Sequence, residues 1–105
     1  YLIDKTVGLR IFTDDNNKMN LSLQDIGGEA LVVSQFTLCA DMTRGRRPSF
    51  VNAAESIIAK NMYDQFCLKL QLLNIPVSMG RFGASMDVEL INDGPVTILL
   101  DSREG

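Results

Sequence analysis

The 105-residue sequence contains no histidine and no tryptophan. Without histidine, the chain itself can form neither a Ser-His or Cys-His catalytic pair nor a zinc site with histidine ligands. Any hydrolytic chemistry must therefore use another base, a backbone oxyanion site or the substrate itself. From the sequence we expect neither a metal ion nor another cofactor.

Long apolar runs are also missing, since no stretch approaches the ~20 residues of a membrane-spanning helix. The first residues do not resemble a signal peptide, which has a basic start and an apolar middle. The two cysteines, Cys39 and Cys67, lack metal-ligand spacing, so we predict that both are reduced, small apolar side chains. These features indicate a cytoplasmic location.

The charge balance is mildly acidic, with a net charge of −3. This balance argues mildly against nonspecific nucleic-acid binding, which normally needs a basic face, but it permits a local basic patch. The hydrophobic content of 46% is ordinary for one globular domain of this length. Because Tyr1 lies inside an apolar-periodic segment with no capping residue before it, we predict a single domain over 1–105 that lacks the N-terminal part of a longer protein.

Apolar periodicity predicts the order helix, strands, helix, strands. The first helix ends near residue 9. Alternation over 19–23 predicts a half-buried strand, and the continuous apolar centre of 29–35 predicts a strand that is buried on both faces. Further strands are predicted over 87–91 and 96–100, which together indicate an α+β fold with a mostly antiparallel sheet.

The second helix is the clearest predicted element. Asn52 and Glu55 resemble a capping box at its start, and Asn74 followed by Pro76 is expected to end it. Apolar residues at helical spacing form one stripe, which we expect to face the core. The stripe consists of Ile58, Met62, Phe66, Leu70 and Leu73.

Three irregular stretches are candidates for a functional site. The first, 34–38, places hydroxyls and an amide just past a strand end, where they can converge on a pocket, although such residues are also common at strand ends. The second is a basic loop, residues 41–50, which contains Arg44, Arg46 and Arg47. Its three guanidiniums either clamp phosphates bidentately or are simply solvated.

The third candidate is the Gly-Pro stretch, residues 92–97, which contains Gly94 and Pro95. Its ordinary interpretation is a hairpin corner between two strands. The alternative is that glycine lets the backbone approach a ligand closely, while the proline ring holds the neighbouring carbonyl in one direction. An X-Pro amide can also adopt the cis form at little cost.

Four motifs occur in order along essentially the whole chain: SQFTL at 34–38, GRRPSF at 45–50, GRFGASM at 80–86 and NDGPVT at 92–97. Together they resemble the D-aminoacyl-tRNA deacylases. Proteins of that family begin with an N-terminal strand hairpin, so the resemblance implies that this hairpin is missing from 1–105. It also implies a barrel-like, mostly antiparallel sheet with one long helix packed on it, in a homodimer.

The resemblance implies an activity, the hydrolysis of the ester that joins a D-amino acid, or glycine, to tRNA. Gly94 and Pro95 would form a chiral selector with a cis bond, and they would enter the active site of the partner subunit. Gln35, Phe36 and Thr37 would line the pocket in which the ester carbonyl is attacked.

Further substrate contacts would come from Ser34 and from the basic loop, whose arginines are the candidates for binding tRNA phosphates. Four residues would border the terminal adenosine: Phe82, Gly83, Ala84 and Met86. Because the chain has no histidine, the resemblance implies that the ribose 2′-hydroxyl of the tRNA activates or orients water. Thr37 is the one plausible side-chain nucleophile, and it ranks below that substrate-assisted route.

Two alternatives stay open at this point. One is a related tRNA-editing module, either attached to a threonyl-tRNA synthetase or present as a relaxed paralogue that clears a mischarged L-amino acid. The other is a non-catalytic RNA-binding or dimerisation module. Hydrolysis of D-Tyr-tRNA but not of L-Tyr-tRNA would separate these alternatives from a D-specific enzyme.

Overall fold

The computed structural model describes residues 1–104. Its helices are α1 (Leu2–Gly8), α2 (Leu23–Ile26) and α3 (Ser56–Leu72), and its strands are β1 (Phe12–Thr13), β2 (Met19–Leu21), β3 (Ala30–Val32) and β4 (Val77–Met79). Short 3-10 helices cover Phe36–Cys39 and Ser102–Glu104. The predicted α+β class with one long helix is confirmed. In the described residues, no helix is long and apolar enough to span a membrane.

The strands form two separate pairs. β1 and β2 are antiparallel, whereas β3 and β4 are parallel, with Ala30 opposite Val77 and Val32 opposite Met79. Within residues 1–104 the pairing is therefore not mostly antiparallel, and the two pairs do not join into a barrel. The parallel pair arises because α3 lies between β3 and β4 in the chain and carries the backbone back to the starting edge.

Ser22 and Asp25 form a reciprocal capping box that the sequence analysis missed. The Asp25 N–H donates to Ser22 Oγ at 3.1 Å, and the Ser22 N–H donates to Asp25 Oδ2 at 2.9 Å. The hydrogen bond from the Ser22 N–H, with a further contribution from the Ser22 side chain, holds the pKa of Asp25 below its usual value. The capping box opens α2. The strand predicted over 19–23 consequently ends at Leu21.

The capping box predicted at Asn52 and Glu55 is wrong. α3 begins at Ser56 with Glu55 as its N-cap residue, and no side chain there accepts a hydrogen bond from the helix. Asn52 belongs to a separate turn before the helix, in which the Ala53 N–H donates to the Phe50 carbonyl at 3.0 Å. Because 50–53 form this turn, the helix starts later than the capping pattern predicted.

Only part of the predicted apolar stripe of α3 faces the core. Leu70 is fully buried and Phe66 is partly buried against the core. The other stripe residues are exposed: Ile58, Met62 and Leu73. The buried face runs instead through Tyr63 and Cys67, because the covered side of α3 is the side that contacts α1 and β4.

The core lies where the three α-helices meet. Val7, Leu23, Leu70 and Ile75 form one buried cluster that links α1, α2 and α3 to the segment before β4. Asn74, with a left-handed φ of 63°, follows the end of α3 as predicted and turns the chain into Ile75. Residues of both parallel strands pack against the cluster: Ala30, Val32 and Val77. The core therefore holds the β3–β4 pair in place.

The strands predicted over 87–91 and 96–100 are not formed. Residues 87–100 contain no strand, and Ile91 and Leu99 are 94% and 84% exposed. A strand needs backbone partners, and no other segment within 1–104 pairs with this stretch. Local apolar alternation was therefore insufficient to predict a strand here.

Candidate functional site

A cleft of about 790 Å³ lies beside the ends of β3 and β4. Because the two strands are parallel, the chain leaves both of them at the same edge. The segments that follow them, 33–36 and 82–86, line the cleft, together with residues from the first half of α3 and with Cys39, Ala53, Ala54 and Val88. Such an edge is a common place for ligands to bind.

The cleft lining is uncharged. None of its described residues is Asp, Glu, Lys or Arg, and its neutral polar side chains are Ser34, Gln35, Ser56, Tyr63 and Ser85. The cleft therefore offers hydrogen bonds and apolar contacts but no charged general base. Across residues 1–104, no cluster of Cys, Asp and Glu side chains is arranged to hold a metal ion.

The structure brings together some of the predicted site residues and separates others. Those that line the cleft are Ser34, Gln35, Phe36, Phe82, Gly83, Ala84 and Met86. Those that do not line it are Thr37, Arg44, Arg46, Arg47, Gly94 and Pro95. The two stretches that follow the parallel strands therefore converge, whereas the basic loop and the Gly-Pro stretch lie outside this cleft.

Phe36 begins the 3-10 helix that borders the cleft. The Gln35 side chain accepts a long hydrogen bond from the Thr37 N–H, at 3.5 Å. No hydrogen bond from the Phe36 N–H is formed within residues 1–104. The Phe36 ring is 61% exposed and meets the Phe50 ring edge-on, with 4.8 Å between the centroids.

Tyr63 joins the cleft to the fold, although it was not among the residues predicted for the site. Its hydroxyl donates to the Val32 carbonyl at 2.6 Å and lies 3.4 Å from the Gly80 carbonyl. The Gly80 N–H also donates to the Val32 carbonyl, at 3.1 Å. Tyr63 thus binds both strand ends where the two lining segments diverge, and its ring centroid lies 5.9 Å from that of Phe82.

Burial raises the pKa of both Tyr63 and Cys67, which lie one helical turn apart on α3. At neutral pH the tyrosine is therefore a hydroxyl donor and Cys67 is a thiol. Both cysteines are free, as predicted, but Cys39 is exposed and lines the cleft. An aromatic residue with a polar tip on the covered face of a helix is the signal that identifies Tyr63.

The Gly-Pro stretch is exposed, and its side chains organise its own backbone. The peptide bond between Gly94 and Pro95 is cis, as the sequence analysis predicted. Asn92 spans the turn, because its Nδ2 donates to Thr97 Oγ1 at 3.0 Å and its Oδ1 accepts from the Val96 N–H at 2.9 Å.

Gly94 itself cannot be replaced without strain. Its φ is +128°, a value that L-residues rarely adopt. A Cβ on Gly94 would also lie 3.0 Å from Val96 Cγ2 and 3.3 Å from the Val96 nitrogen. The turn therefore needs a glycine at this position.

Comparison with known proteins identifies the family. A family model described as D-Tyr-tRNA(Tyr) deacylase matches residues 1–101. This chain belongs to that family. Its members are hydrolases that act on ester bonds, so the chain is an enzyme of this class.

Two relatives are named D-aminoacyl-tRNA deacylase. The protein from Clostridioides difficile (strain 630) is 61% identical over 104 residues, which are 99% of this chain and 70% of that protein. The protein from Desulfatibacillum aliphaticivorans is 57% identical over 103 residues, which are 98% of this chain and 70% of the relative.

A solved structure has the same fold. It is named c-Myc DNA Unwinding Element Binding Protein, and it superposes with a TM-score of 0.87 at 38% sequence identity. The superposition covers 96% of this chain and 69% of that chain.

Proposed function

We propose that this chain hydrolyses the ester bond between a D-amino acid and tRNA in the cleft beside β3 and β4. The observation that carries the proposal is the uncharged cleft, in which Ser34, Gln35 and Phe36 face the 82–86 segment in a chain of the deacylase family. Water attacks the ester carbonyl, the bond to the ribose oxygen breaks, and that oxygen takes up a proton. Free D-amino acid and tRNA are released.

The proposed mechanism needs little from side chains. An aminoacyl ester is already reactive, and each factor of ten in rate requires only ~1.4 kcal/mol. Backbone N–H groups can stabilise the developing oxyanion by ~3 kcal/mol. Phe36 lines the cleft and its N–H makes no hydrogen bond within residues 1–104, so this N–H is available for the role.

The substrate supplies the remaining group in this proposal. With no histidine in the chain and no charged residue in the cleft lining, the ribose 2′-hydroxyl of the tRNA orients the attacking water. Thr37 does not line the cleft, which supports the lower rank of a nucleophilic route through its hydroxyl. Full activity of Thr37→Ala is the expected result, and loss of activity with normal folding would favour the nucleophilic route.

Recognition of the terminal adenosine is assigned to the 82–86 segment. The Phe82 ring offers an aromatic face in the cleft, and Gly83 and Ala84 leave room beside it. Stacking of a base on an aromatic side chain is worth about 1–3 kcal/mol. Met86 adds a flexible apolar wall.

Chiral selection is assigned to Gly94 and Pro95, acting across the interface of a homodimer. Both residues are exposed and lie outside the cleft of their own chain. Exposed apolar side chains lie nearby in the chain, including Leu90, Ile91 and Leu99, and such surface is typical of an interface. A rigid backbone wall rejects an L side chain by steric overlap, whereas glycine escapes this rejection, so glycyl-tRNA is also a substrate.

The decisive experiment compares D-Tyr-tRNA and L-Tyr-tRNA as substrates of the purified protein, with glycyl-tRNA as a third. The expected result is hydrolysis of the D and glycyl esters and sparing of the L ester. Preferential hydrolysis of an L ester would replace this proposal with an editing module for L-amino acids.

A second candidate function is nucleic-acid binding that does not depend on catalysis. It is favoured by the name of the solved relative, which describes a protein that binds a DNA unwinding element. Hydrolysis of none of the three esters, together with measurable nucleic-acid binding, would support that candidate.

A further inference from the structure

The basic loop has a defined backbone conformation. Asp41 and Ser49 pair across its base, with N···O distances of 2.7 and 2.8 Å. Near its tip, Gly45 has a φ of +71°, which reverses the chain between Arg44 and Arg46. Arg44 and Arg46 therefore lie on either side of a tight turn, with Arg47 next to them.

The one acidic residue of the loop, Asp41, already accepts hydrogen bonds from within the loop. Asp41 Oδ1 accepts hydrogen bonds from the Thr43 N–H at 3.0 Å and from Thr43 Oγ1 at 2.7 Å. These bonds to Thr43 hold the pKa of Asp41 below its usual value, so the group is ionised and satisfied within the loop.

The three arginines have no ion-pair partner within residues 1–104. Other basic residues do pair in the same structure: Arg103 lies 2.7 Å from Asp101, and Lys60 lies 2.8 Å from Asp64. All three loop arginines are exposed, although the chain as a whole is acidic. The loop therefore concentrates unpaired positive charge in one place.

The loop is joined to the cleft. Its last residue, Phe50, packs its ring edge-on against Phe36, which lines the cleft. Ala53 and Ala54, a few residues later, also line the cleft. The base of the loop is therefore anchored at the cleft, and the arginines lie three to six residues before this anchor in the chain.

We infer that Arg44, Arg46 and Arg47 bind phosphates of the single-stranded acceptor end of tRNA, next to the nucleotide that enters the cleft. This inference rests on the proposed function. Guanidinium groups bind phosphates bidentately, and neighbouring phosphates of one strand match neighbouring arginines on one loop. The contacts position the tRNA and carry no base sequence information.

The test replaces the three arginines with glutamine (R44Q, R46Q and R47Q) and uses two substrates. One is D-Tyr-tRNA, and the other is D-tyrosyl-adenosine, an ester without phosphates. A matched control removes the same charge elsewhere, through K5Q, K18Q and K69Q, all of which are exposed and outside the cleft.

The expected result is a KM for D-Tyr-tRNA that rises about tenfold in the arginine variant, with kcat nearly unchanged. Hydrolysis of D-tyrosyl-adenosine should be the same in all proteins. Because each single-strand phosphate contact contributes about −0.7 to the slope of log affinity against log salt, the arginine variant should lose about 2 from that slope.

An equal rise in KM in the lysine control, or no rise in the arginine variant, would overturn the inference. An equal rise in KM for D-tyrosyl-adenosine would also overturn the inference, since that substrate has no phosphate. If the unmodified protein hydrolyses neither substrate, the proposed function is rejected, independently of the inference about the arginines. Binding of uncharged tRNA by the same variants, measured by fluorescence anisotropy, then still decides whether the arginines contact phosphates.

Discussion

The helical half of the chain and the stretch over 87–100 contain similar apolar residues but use them differently. Around α3, Leu70 and Cys67 are almost completely excluded from solvent. In the later stretch, Ile91 and Leu99 are almost completely exposed. The difference shows that apolar patterning is necessary for burial but that a facing surface decides whether it occurs.

The two regions also hold their backbones in different ways. The helical half is stabilised by packing of α1, α2 and α3 around one cluster. The Gly-Pro stretch is held by two hydrogen bonds of a single side chain, that of Asn92, which donates one and accepts the other. We therefore expect substitutions in the first region to change stability and substitutions in the second to change assembly or substrate selection.

The largest expected effect is on stability. Leu70→Ala should lower the free energy of unfolding by about 3 kcal/mol, because it leaves a cavity in the fully buried centre of the core. Leu72→Ala on the same helix, where the side chain is 71% exposed, should change it by less than about 0.5 kcal/mol. Denaturant unfolding followed by circular dichroism measures both, and similar losses would show that the two positions do not differ in packing.

The next effect concerns self-association. Ile91→Lys should weaken the proposed homodimer by about 2 kcal/mol, roughly thirtyfold in Kd, because a charge would be buried in an apolar interface. Its unfolding at low protein concentration should match that of the parent. Light scattering across a concentration series measures the mass, with Leu72→Lys as the control. If the molar mass depends on protein concentration in the same way for the parent, Ile91→Lys and Leu72→Lys, Ile91 does not lie in a dimer interface.

A smaller effect is expected at Gly94. Gly94→Ala should reduce hydrolysis of D-Tyr-tRNA by about tenfold and narrow the D/L ratio, since the new Cβ conflicts with Val96 and with the positive φ. The free energy of unfolding should change little because the stretch is exposed. Gly8→Ala, where a Cβ would meet open space, is the control. An unchanged D/L ratio for Gly94→Ala would exclude the selector role.

The smallest effect concerns the hydroxyl that links the two strand ends. Tyr63→Phe should cost about 1 kcal/mol of stability, because the Val32 carbonyl keeps only its bond from the Gly80 N–H. It should also lower kcat for D-Tyr-tRNA more than Tyr1→Phe does, since Tyr1 is exposed and does not line the cleft. If kcat is the same in the two variants, the Tyr63 hydroxyl contributes to stability but not to catalysis.

The same residue predicts a pH dependence. Burial raises the pKa of Tyr63 above its ordinary value of 10.0, so the folded state retains this proton more strongly than the unfolded state. Its contribution to stability is therefore fully present below pH 10 and is lost as the pH rises through the folded-state pKa. Unfolding measured from pH 8 to pH 11 should show a steeper decline for the parent than for Tyr63→Phe.

Local signals predicted some features well. Asn74 and Pro76 marked the end of α3, because a left-handed residue and a proline stop a helix in any tertiary setting. The capping box of Ser22 and Asp25 was also readable in the sequence but was absorbed into a predicted strand. Both features depend on residues that are close together in the chain.

Other features depended on distant partners. The predicted stripe of α3 included Ile58 and Met62, which are exposed because, within residues 1–104, the elements that pack on α3 contact its other side. Tyr63 gained its role only because the ends of β3 and β4 lie within reach of its hydroxyl. Neither outcome is encoded in a local pattern.

The sequence by itself determined the α+β class, the long helix α3 and its end, and the chemical character of a site that has no histidine. Only the tertiary structure decided that 33–36 and 82–86 meet in one cleft, that β3 and β4 pair in parallel, and that 87–100 forms no strand. The physical reason is the sequence separation between the residues that interact. Caps and turns are governed by neighbouring residues, whereas clefts, strand pairs and burial require surfaces that segments far apart in the chain provide for one another.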